Sequence, residues 1–306
     1  MIIIKDIVIL LVSIIVIGKG AVWLVDAAAR VAKHFGISEL VIGLTVVAFG
    51  TSAPEFGVTI LAAIRGMGDI SVGNIVGSNI FNLGFILGGT AIIHSLKTSR
   101  TVVFRDGIFL LFGGILLSVF LWDLTLSKIE GIILFSLLVL YLLYLYVKKE
   151  SIEEEEPTHA MYRWDPILLF VGIGLVIVGS HFLVESAVNI ARFMGVSDWV
   201  IGATIIAAGT SAPEFATSLT AAMKSRYGMS VGNLIGSDIF NLFGVLGVAG
   251  MMRNLSVGHD AHINLIILSF MIAVVIIFMR TGWVVSRKEG IILVMIGLLR
   301  WIYSFS

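Results

Sequence analysis

The chain has 306 residues, of which 58% are apolar and only 13% are charged. Soluble domains carry about 25% charged residues, so this composition excludes soluble enzymes, nucleic-acid binders and disordered proteins. Lysine plus arginine and aspartate plus glutamate each number 20, and cysteine is absent, so the net charge indicates no partner and disulfide or thiolate chemistry is excluded. We therefore expect an all-α polytopic membrane protein.

Ten segments are long and apolar enough to cross a bilayer, which takes about 20 mostly apolar residues. In chain order they are 3–29, 39–63, 71–93, 103–122, 127–147, 166–190, 198–222, 230–251, 262–280 and 285–303. Tryptophans fall near five of the proposed ends, as interfacial anchors do, at Trp122, Trp164, Trp199, Trp283 and Trp301. The pattern predicts ten transmembrane helices.

The positive residues divide unequally between the two sets of connecting loops, 13 on one side and 6 on the other. Because the richer side is normally cytoplasmic, we expect a multi-pass cell-membrane protein with both termini outside and the loop 148–164 in the cytoplasm. This loop contains Glu153–Glu156 followed by Pro157. The run is typical of a solvated acidic linker; a cation sensor is the alternative.

The chain repeats itself at a constant offset: 36–83 align without a gap to 195–242, and 26 of the 48 pairs are identical. Each half contains five predicted spans, and an odd number turns the second half over in the membrane. We therefore expect two inverted five-helix repeats, 1–147 and 165–306, joined by the linker 148–164. Inverted repeats are typical of transporters whose site lies at the midplane.

Two of the four prolines, Pro54 and Pro213, lie mid-span. Proline removes a helix hydrogen bond and displaces the carbonyl four residues earlier, so helices 2 and 7 should be broken. Carbonyls around residues 48–50 and 207–209 should then lack helix partners. In hydrocarbon such carbonyls are tolerated only where they line a cavity or meet an ion; a simple kink is the structural alternative.

A glutamate follows each proline, and Glu55 and Glu214 lie near the middle of their spans. A charge at this depth costs at least about 2.5–3.5 kcal/mol and indicates a functional site. The alternative is a protonated, hydrogen-bonded pair that joins helices. Thr51 and Ser52 precede Glu55 by four and three residues and would share its face in a continuous helix.

Spans three and eight each carry a polar stripe with residues four apart. The stripes are Asn74, Ser78 and Asn82, and Asn233, Ser237 and Asn241. Such stripes can simply join helices, but opposite the broken helices we expect ligation. Four glycines beside the stripes would allow close helix approach, at Gly73, Gly77, Gly232 and Gly236. Asp238, which stands where the first repeat has Asn79, is interpreted as a structural or entrance charge beside the stripe.

All of the proposed ligands are oxygens, which suits Na⁺ and Ca²⁺ rather than zinc or copper. Two ionised glutamates are neutralised by one Ca²⁺ or by two Na⁺. A site that accepts either load, and is costly to leave charged and empty, has the properties of an exchanger.

The paired motifs resemble the α-repeats of the Ca²⁺:cation antiporter superfamily, and within it the compact archaeal sodium/calcium exchangers. They are Gly50–Glu55 with Gly209–Glu214, and Gly77–Asn82 with Gly236–Asn241. The resemblance implies four cation sites between helices two, three, seven and eight. The ligands it implies are Ala48, Thr51, Ser52, Glu55, Ser78 and Asn82, with Ala207, Thr210, Ser211, Glu214, Ser237 and Asn241.

The same resemblance implies electrogenic exchange of several Na⁺ for one Ca²⁺ by alternating access, in which helices one and six slide over the others. Glycines in those two helices would ease the sliding, at Gly18, Gly20, Gly172, Gly174 and Gly179. Some family members carry aspartate where this chain has Asn82 or Asn241, so its centre would lack a third titratable group. The expected partners are Na⁺, Ca²⁺ and lipid, with no cofactor, nucleic acid or protein partner, in a functional monomer.

The nearest alternative is a Ca²⁺/H⁺ antiporter that protonates Glu55 and Glu214. A cation channel would need a continuous pore. An intramembrane hydrolase could use Ser52, but no histidine or lysine base accompanies it, so we expect no enzyme. Ion affinities, transport rate and the direction in which the site faces do not follow from the sequence.

Overall fold

The computed structural model describes residues 2–148, 160–196, 201, 205 and 207–303. The described chain is helical apart from four two-residue strands and short connections. The helices are α1 (Ile2–Phe35), α2 (Glu39–Thr51), α3 (Ala53–Arg65), α4 (Gly68–Ile93), α5 (Val102–Asp123), α6 (Lys128–Lys148), α7 (Asp165–Phe193), α8 (Ala207–Thr210), α9 (Ala212–Met223), α10 (Tyr227–Met252), α11 (Asp260–Arg280) and α12 (Arg287–Tyr303). The central part of the predicted linker, 149–159, lies outside the described residues.

Seven of these helices are long and apolar enough to cross a membrane, and α2 with α3 makes an eighth span if the bent pair counts as one. Of the two remaining predicted spans, 198–222 lies partly outside the described residues, and α12 has only 17 residues. The membrane fold is therefore confirmed, while the count of ten stays a prediction. Apolar side chains such as Leu140 on α6, with 62% of its surface exposed, cover the outside of the bundle, as expected of a surface that faces lipid.

The predicted breaks lie at Ser52 and Ser211. The helix axis bends by 52° between α2 and α3, and Pro54 lies in the first turn of α3, where a proline needs no amide hydrogen. Pro213 occupies the same place in α9 after α8. Ser52 and Ser211 adopt nearly the same backbone angles, with φ of −80° and −90° and ψ of 10° and 9°. The two proline motifs therefore break their helices in the same way.

Helices α4 and α10 form the centre of the bundle. In their most apolar stretches, 72% and 83% of the residues are buried, against 28% in α1 and α7. Wide π-type turns interrupt both central helices at Asn82–Leu87 and Phe240–Val245, and each turn includes the last residue of its polar stripe. Such turns are frequent at functional sites because they shift the register of the helix face.

The long helices α1 and α7 pack directly against each other. A Cβ atom at Gly20 would lie 2.8 Å from Leu175 Cβ, and one at Gly172 would lie 2.7 Å from the Leu24 amide. One at Gly179 would lie 2.7 Å from Ile17 Cγ1. The expectation that these glycines ease sliding over the remaining helices is therefore wrong for these three: they let α1 and α7 approach closely and join the pair.

The short strands connect the two halves of the chain. β1 (Leu96–Lys97) pairs with β4 (Val284–Val285), and β2 (Thr125–Leu126) pairs with β3 (Leu255–Ser256), both antiparallel. The two strand pairs occupy equivalent positions in the repeats, because the alignment matches β1 with β3 and β2 with β4. The pairing of Leu96 with Val285 therefore corresponds to the pairing of Leu255 with Leu126. Each half thus supplies one strand to each pair.

Candidate cation site

The two breaks place an acidic side chain at the start of each second half-helix. Glu55 and Glu214 lie in the first turns of α3 and α9, and neither side chain has any exposed surface. The N-terminal end of a helix carries a partial positive charge, which stabilises a nearby carboxylate. The proline that breaks each helix thereby creates a favourable place for the buried acid that follows it.

Each glutamate accepts a hydrogen bond from the serine of the opposite repeat. Ser52 Oγ donates to Glu214 Oε1 at 3.0 Å, and Ser211 Oγ donates to Glu55 Oε1 at 3.1 Å. Ser52 would share a face with Glu55 only in a continuous helix; the bend at the serine directs its hydroxyl across the interface between the repeats instead. The two broken helices meet at one place, and their acids are close enough to interact electrostatically.

The hydroxyl residues predicted as ligands lie beside these acids or line a cavity that Thr210 shares. Thr51 lies beside Glu214, and its Oγ1 is 3.4 Å from Ser237 Oγ. Thr210 lies beside Glu55. Thr210 and Ser78 also line one cavity, together with Arg300 and Trp301 of α12. All four predicted hydroxyl residues on α2, α4, α8 and α10 therefore lie at or next to the acids or this cavity.

The first residue of each stripe joins helices instead. Asn74 Nδ2 donates to Thr59 Oγ1 at 3.0 Å and to the Glu55 carbonyl at 3.3 Å. Asn233 Nδ2 donates to Ser218 Oγ at 2.8 Å and to the Glu214 carbonyl at 3.4 Å. The amide nitrogens at these two positions therefore hold α4 against α3 and α10 against α9.

The prediction of an unpartnered carbonyl at Ala48 is wrong. Its oxygen accepts the Ser52 amide hydrogen at 3.0 Å and lies 3.3 Å from the donating Thr51 Oγ1. The proline removes the donor four residues after Gly50, not the one four residues after Ala48, so this last turn of α2 remains closed. Ala207 begins α8, next to residues that lie outside the described part of the chain.

Of the two roles expected for Asp238, a structural charge or an entrance charge, only the structural one agrees with its position. Its side chain has no exposed surface, so it is not an entrance charge, and Asn82 Nδ2 donates to its Oδ1 at 3.0 Å. A third acid thus contacts the residue predicted to line the centre, where none was expected. No spacing within α10 could have predicted this contact, because Asn82 belongs to the other repeat.

The glycines beside the stripes behave differently in the two repeats. A Cβ at Gly236 would lie 2.6 Å from Leu44 Cα, and one at Gly232 would lie 2.6 Å from the Leu40 carbonyl, which confirms the close approach of α10 to α2. A Cβ at Gly73 or Gly77 would meet no described atom within 4 Å. For these two the expectation stays a prediction.

Several buried oxygens in this cluster have no hydrogen-bond donor among the described residues. They are Glu55 Oε2, Glu214 Oε2, Asn82 Oδ1, Asn241 Oδ1 and Asp238 Oδ2. Buried acceptors normally have partners, and a group of oxygen acceptors without donors provides the ligands that Na⁺ and Ca²⁺ prefer. Within the described ranges no group of three His, Cys, Asp or Glu side chains is arranged to hold a metal, so a cation here would also need neutral oxygens.

The family model described as sodium/calcium exchanger protein matches residues 5–147 and 164–301. The sodium/calcium exchanger MaX1 of Methanosarcina acetivorans is 32% identical, over 94% of this chain and 95% of its own length. The putative antiporter CaxA of Alkalimonas amylolytica is 34% identical, over 93% of this chain and 94% of its own.

Solved structures agree with these matches. A structure of the sodium-calcium exchanger NCX_Mj has a TM-score of 0.87 and 32% identity, and the match covers 99% of this chain and 100% of that one. A second structure of the same exchanger has a TM-score of 0.85 and 33% identity. These relatives are named as transporters and not as enzymes. On the family match, the near full-length relatives and the shared fold, this chain belongs to the sodium/calcium exchanger family.

Proposed function

We propose that the chain is a secondary active antiporter that exchanges Na⁺ for Ca²⁺ across the cell membrane by alternating access, with net movement of charge. The observation that carries the proposal is the crossed pair of buried acids. Glu55 and Glu214 come from opposite repeats and each holds the other repeat's serine. Names of full-length relatives support both ions and antiport.

The charge of the site explains why exchange is coupled. Two ionised glutamates inside a membrane are costly without counter-ions, so the protein changes sides only when a cation load compensates them. One Ca²⁺ or at least two Na⁺ meets this requirement. The ligand set we propose comprises Ala48, Thr51, Ser52, Glu55, Ser78, Asn82, Ala207, Thr210, Ser211, Glu214, Ser237 and Asn241.

The proposal includes ten transmembrane helices in two inverted repeats, 1–147 and 165–306. Strand pairs and side-chain hydrogen bonds that recur at equivalent positions of the two repeats support this arrangement, as do the two similar breaks. The excess of basic residues supports termini outside and the loop 148–164 in the cytoplasm. We further propose that the monomer carries out exchange, since both halves of the site come from one chain.

Ion coupling is tested with purified protein in liposomes loaded with Na⁺. We expect Ca²⁺ uptake when Na⁺ is diluted outside, and faster uptake when the lumen is made positive, because more than two Na⁺ leave for each Ca²⁺ that enters. Na⁺-free vesicles with an imposed pH gradient form the second arm. Uptake that follows the pH gradient and ignores Na⁺ would establish a Ca²⁺/H⁺ antiporter instead, and flux without any counter-ion would indicate a channel.

A further inference from the structure

The aligned stripes of α4 and α10 differ in polar character at one position only. Residues 71–83 and 230–242 carry the same polar side chains except at Asn79 and Asp238. Both side chains are fully buried. A buried acid that the repeat does not require at this position needs a role of its own.

Asp238 is the centre of a hydrogen-bond chain that reaches both predicted central amides. Its carboxylate accepts from Asn82 Nδ2 at 3.0 Å, and its backbone carbonyl accepts from Asn79 Nδ2 at 3.1 Å. Asn79 Oδ1 in turn accepts from Asn241 Nδ2 at 3.2 Å. One residue thus contacts Asn82 directly and Asn241 through Asn79.

These contacts determine which way each amide points. An amide has one oxygen and one nitrogen, so an acceptor that binds the nitrogen directs the oxygen away from itself. The Oδ1 atoms of Asn82 and Asn241 are left buried with no donor among the described residues. Without an acceptor at 79 or 238, each amide could rotate and present NH₂, which repels a cation.

We propose that Asp238 and Asn79 are positioning residues that hold the amide oxygens of Asn82 and Asn241 toward the transported cation. The proposal depends on the proposed cation exchange. Asp238 acts across the repeat boundary on Asn82, and Asn79 acts across it on Asn241, so each repeat orients a ligand of the other. Orienting partners of this kind typically change metal affinity by about 10- to 100-fold when removed.

The test measures the Kd of Ca²⁺ at equilibrium and the KM of Ca²⁺ uptake for Asp238→Leu, which has the same branching as the aspartate, with two larger methyl groups in place of the acceptor oxygens. We expect about a tenfold rise in both, as the loss of one such partner implies. Asp238→Asn keeps an acceptor, as Asn79 does in the other repeat, and should stay within about threefold of wild type. A tenfold rise for Asp238→Asn would overturn the proposal, because it would make the acid itself a ligand or a necessary charge.

A double-mutant cycle separates positioning from a structural role. In an Asn82→Leu background, Asp238→Leu should cause no further loss of Ca²⁺ affinity, whereas in an Asn241→Asp background it should cause its full loss. Full additivity with Asn82→Leu would refute the proposal. Thr90→Val on α4, at a buried hydroxyl without a described partner, is the matched control and should leave affinity unchanged.

If Asp238→Leu does not fold, the exchange Asn79→Asp with Asp238→Asn decides the question. It retains both acceptors and moves the charge, so near-normal Ca²⁺ affinity is expected and a tenfold loss would contradict the proposal. If the proposed function is wrong, the result differs: wild-type protein itself would not bind Ca²⁺, and Glu55→Gln would be no different from it.

A separate observation concerns charges on the long helices. Lys224 Nζ binds Asp26 Oδ1 at 2.6 Å and so ties α1 to the end of α9. The alignment of the repeats matches Asp26 with Glu185 and Arg65 with Lys224. Both repeats therefore carry one acid and one base at equivalent places. Glu185 and Arg65 are exposed and form no ion pair with each other among the described residues.

We infer that these are two alternating latches, of which this structure has one closed. In the state that faces the other side of the membrane, the joined helices α1 and α7 would have shifted together, so that Glu185 of α7 binds Arg65 of α3 while Asp26 and Lys224 separate. This inference depends on alternating access by the inverted repeats. It gives the four charges a shared role that snorkelling to the interface would not.

The natural chain contains no cysteine, so introduced thiols can be cross-linked without background. Asp26→Cys with Lys224→Cys, and Arg65→Cys with Glu185→Cys, would each be treated with a short flexible bis-maleimide, which adds to two thiols, and followed by gel mobility, which needs no transport activity. We expect both pairs to cross-link, in opposite proportions when the Na⁺ gradient is reversed. The mismatched pair Asp26→Cys with Arg65→Cys should not react. Cross-linking of only the first pair under every gradient would refute the latch.

Discussion

Arg30 binds Asp165 through two parallel hydrogen bonds, from Nε to Oδ2 at 2.9 Å and from Nη2 to Oδ1 at 2.7 Å. The bond joins the last third of α1 to the first residue of α7. Near the other end of the pair, Asn189 Nδ2 donates to Asp6 Oδ1 at 3.3 Å. With the glycine contacts between them, these bonds fasten α1 and α7 along their length, so the two helices can move only as one unit.

Asp165→Asn should lower the stability of the protein without changing the site. The aspartate is fully buried and also accepts the Tyr162 amide hydrogen at 2.7 Å, so the variant leaves Arg30 with a weaker partner. We expect a loss of about 1.5–3 kcal/mol, the range for hydrogen bonds to charged groups. Thermal unfolding in detergent measures it. Arg163→Gln in the same segment is the control, and an equal loss there would contradict the assignment.

Glu55→Gln and Glu214→Gln should each abolish most Ca²⁺ binding while the protein still folds. Each change keeps the shape of the side chain but removes one of the two charges that face the cation. Leaving a buried charge uncompensated costs about 2–5 kcal/mol, so at least about a thirtyfold loss of affinity is expected. Calorimetric titration with Ca²⁺ measures this.

The control for these two is Glu130→Gln. Glu130 accepts the Ser127 amide hydrogen at 2.7 Å at the start of α6. This variant should affect stability alone. Unchanged Ca²⁺ affinity in both Glu55→Gln and Glu214→Gln would show that these acids do not bind Ca²⁺.

Ser52→Ala and Ser211→Ala should weaken Ca²⁺ binding to a similar extent, although they lie in different repeats. Each removes one hydroxyl that binds a glutamate of the opposite repeat, at 3.0 and 3.1 Å. A hydrogen bond to a charged group is worth about 1.5–3 kcal/mol, or roughly a 10- to 100-fold change. Ser180→Ala on α7, where the buried hydroxyl has no described partner, should bind Ca²⁺ normally. A strong effect of only one site serine would show that the crossed contacts are not equivalent.

Gly236→Ala should destabilise the bundle, whereas Gly57→Ala should not. A Cβ at Gly236 would lie 2.6 Å from Leu44 Cα and 2.7 Å from the Leu44 carbonyl, so backbone would have to move. Overpacking of this kind costs about 1–3 kcal/mol. A Cβ at Gly57 meets no described atom within 4 Å, and the repeat has Ala216 in that place. Equal thermal midpoints for the two variants would mean that α10 and α2 can separate without cost.

Proline was enough to predict the broken helices, and a spacing of four residues predicted which polar side chains share the inner face of α4 and of α10, because a missing amide hydrogen and a helical spacing have local consequences. The ligand set, most of which came from the family resemblance, stays a prediction.

The Ala48 carbonyl was mispredicted because the proline removes the donor to the Gly50 carbonyl and not the donor to Ala48. The partner of Ser52 could not be predicted because it lies in the other repeat. The contact of Asp238 with a central amide was not predicted because its partners, Asn82 and Asn79, belong to the other repeat. Contacts that cross between the halves leave no periodic signal in either half.

The two short strand pairs make each half of the chain dependent on the other. Each half contributes one strand to each pair, and β1 of the first half finds its partner only in β4 of the second. In the arrangement of two inverted five-helix repeats that we propose, one repeat alone would have two unpaired strand edges and only one of the two buried glutamates. A second copy, turned over beside the first, would complete both.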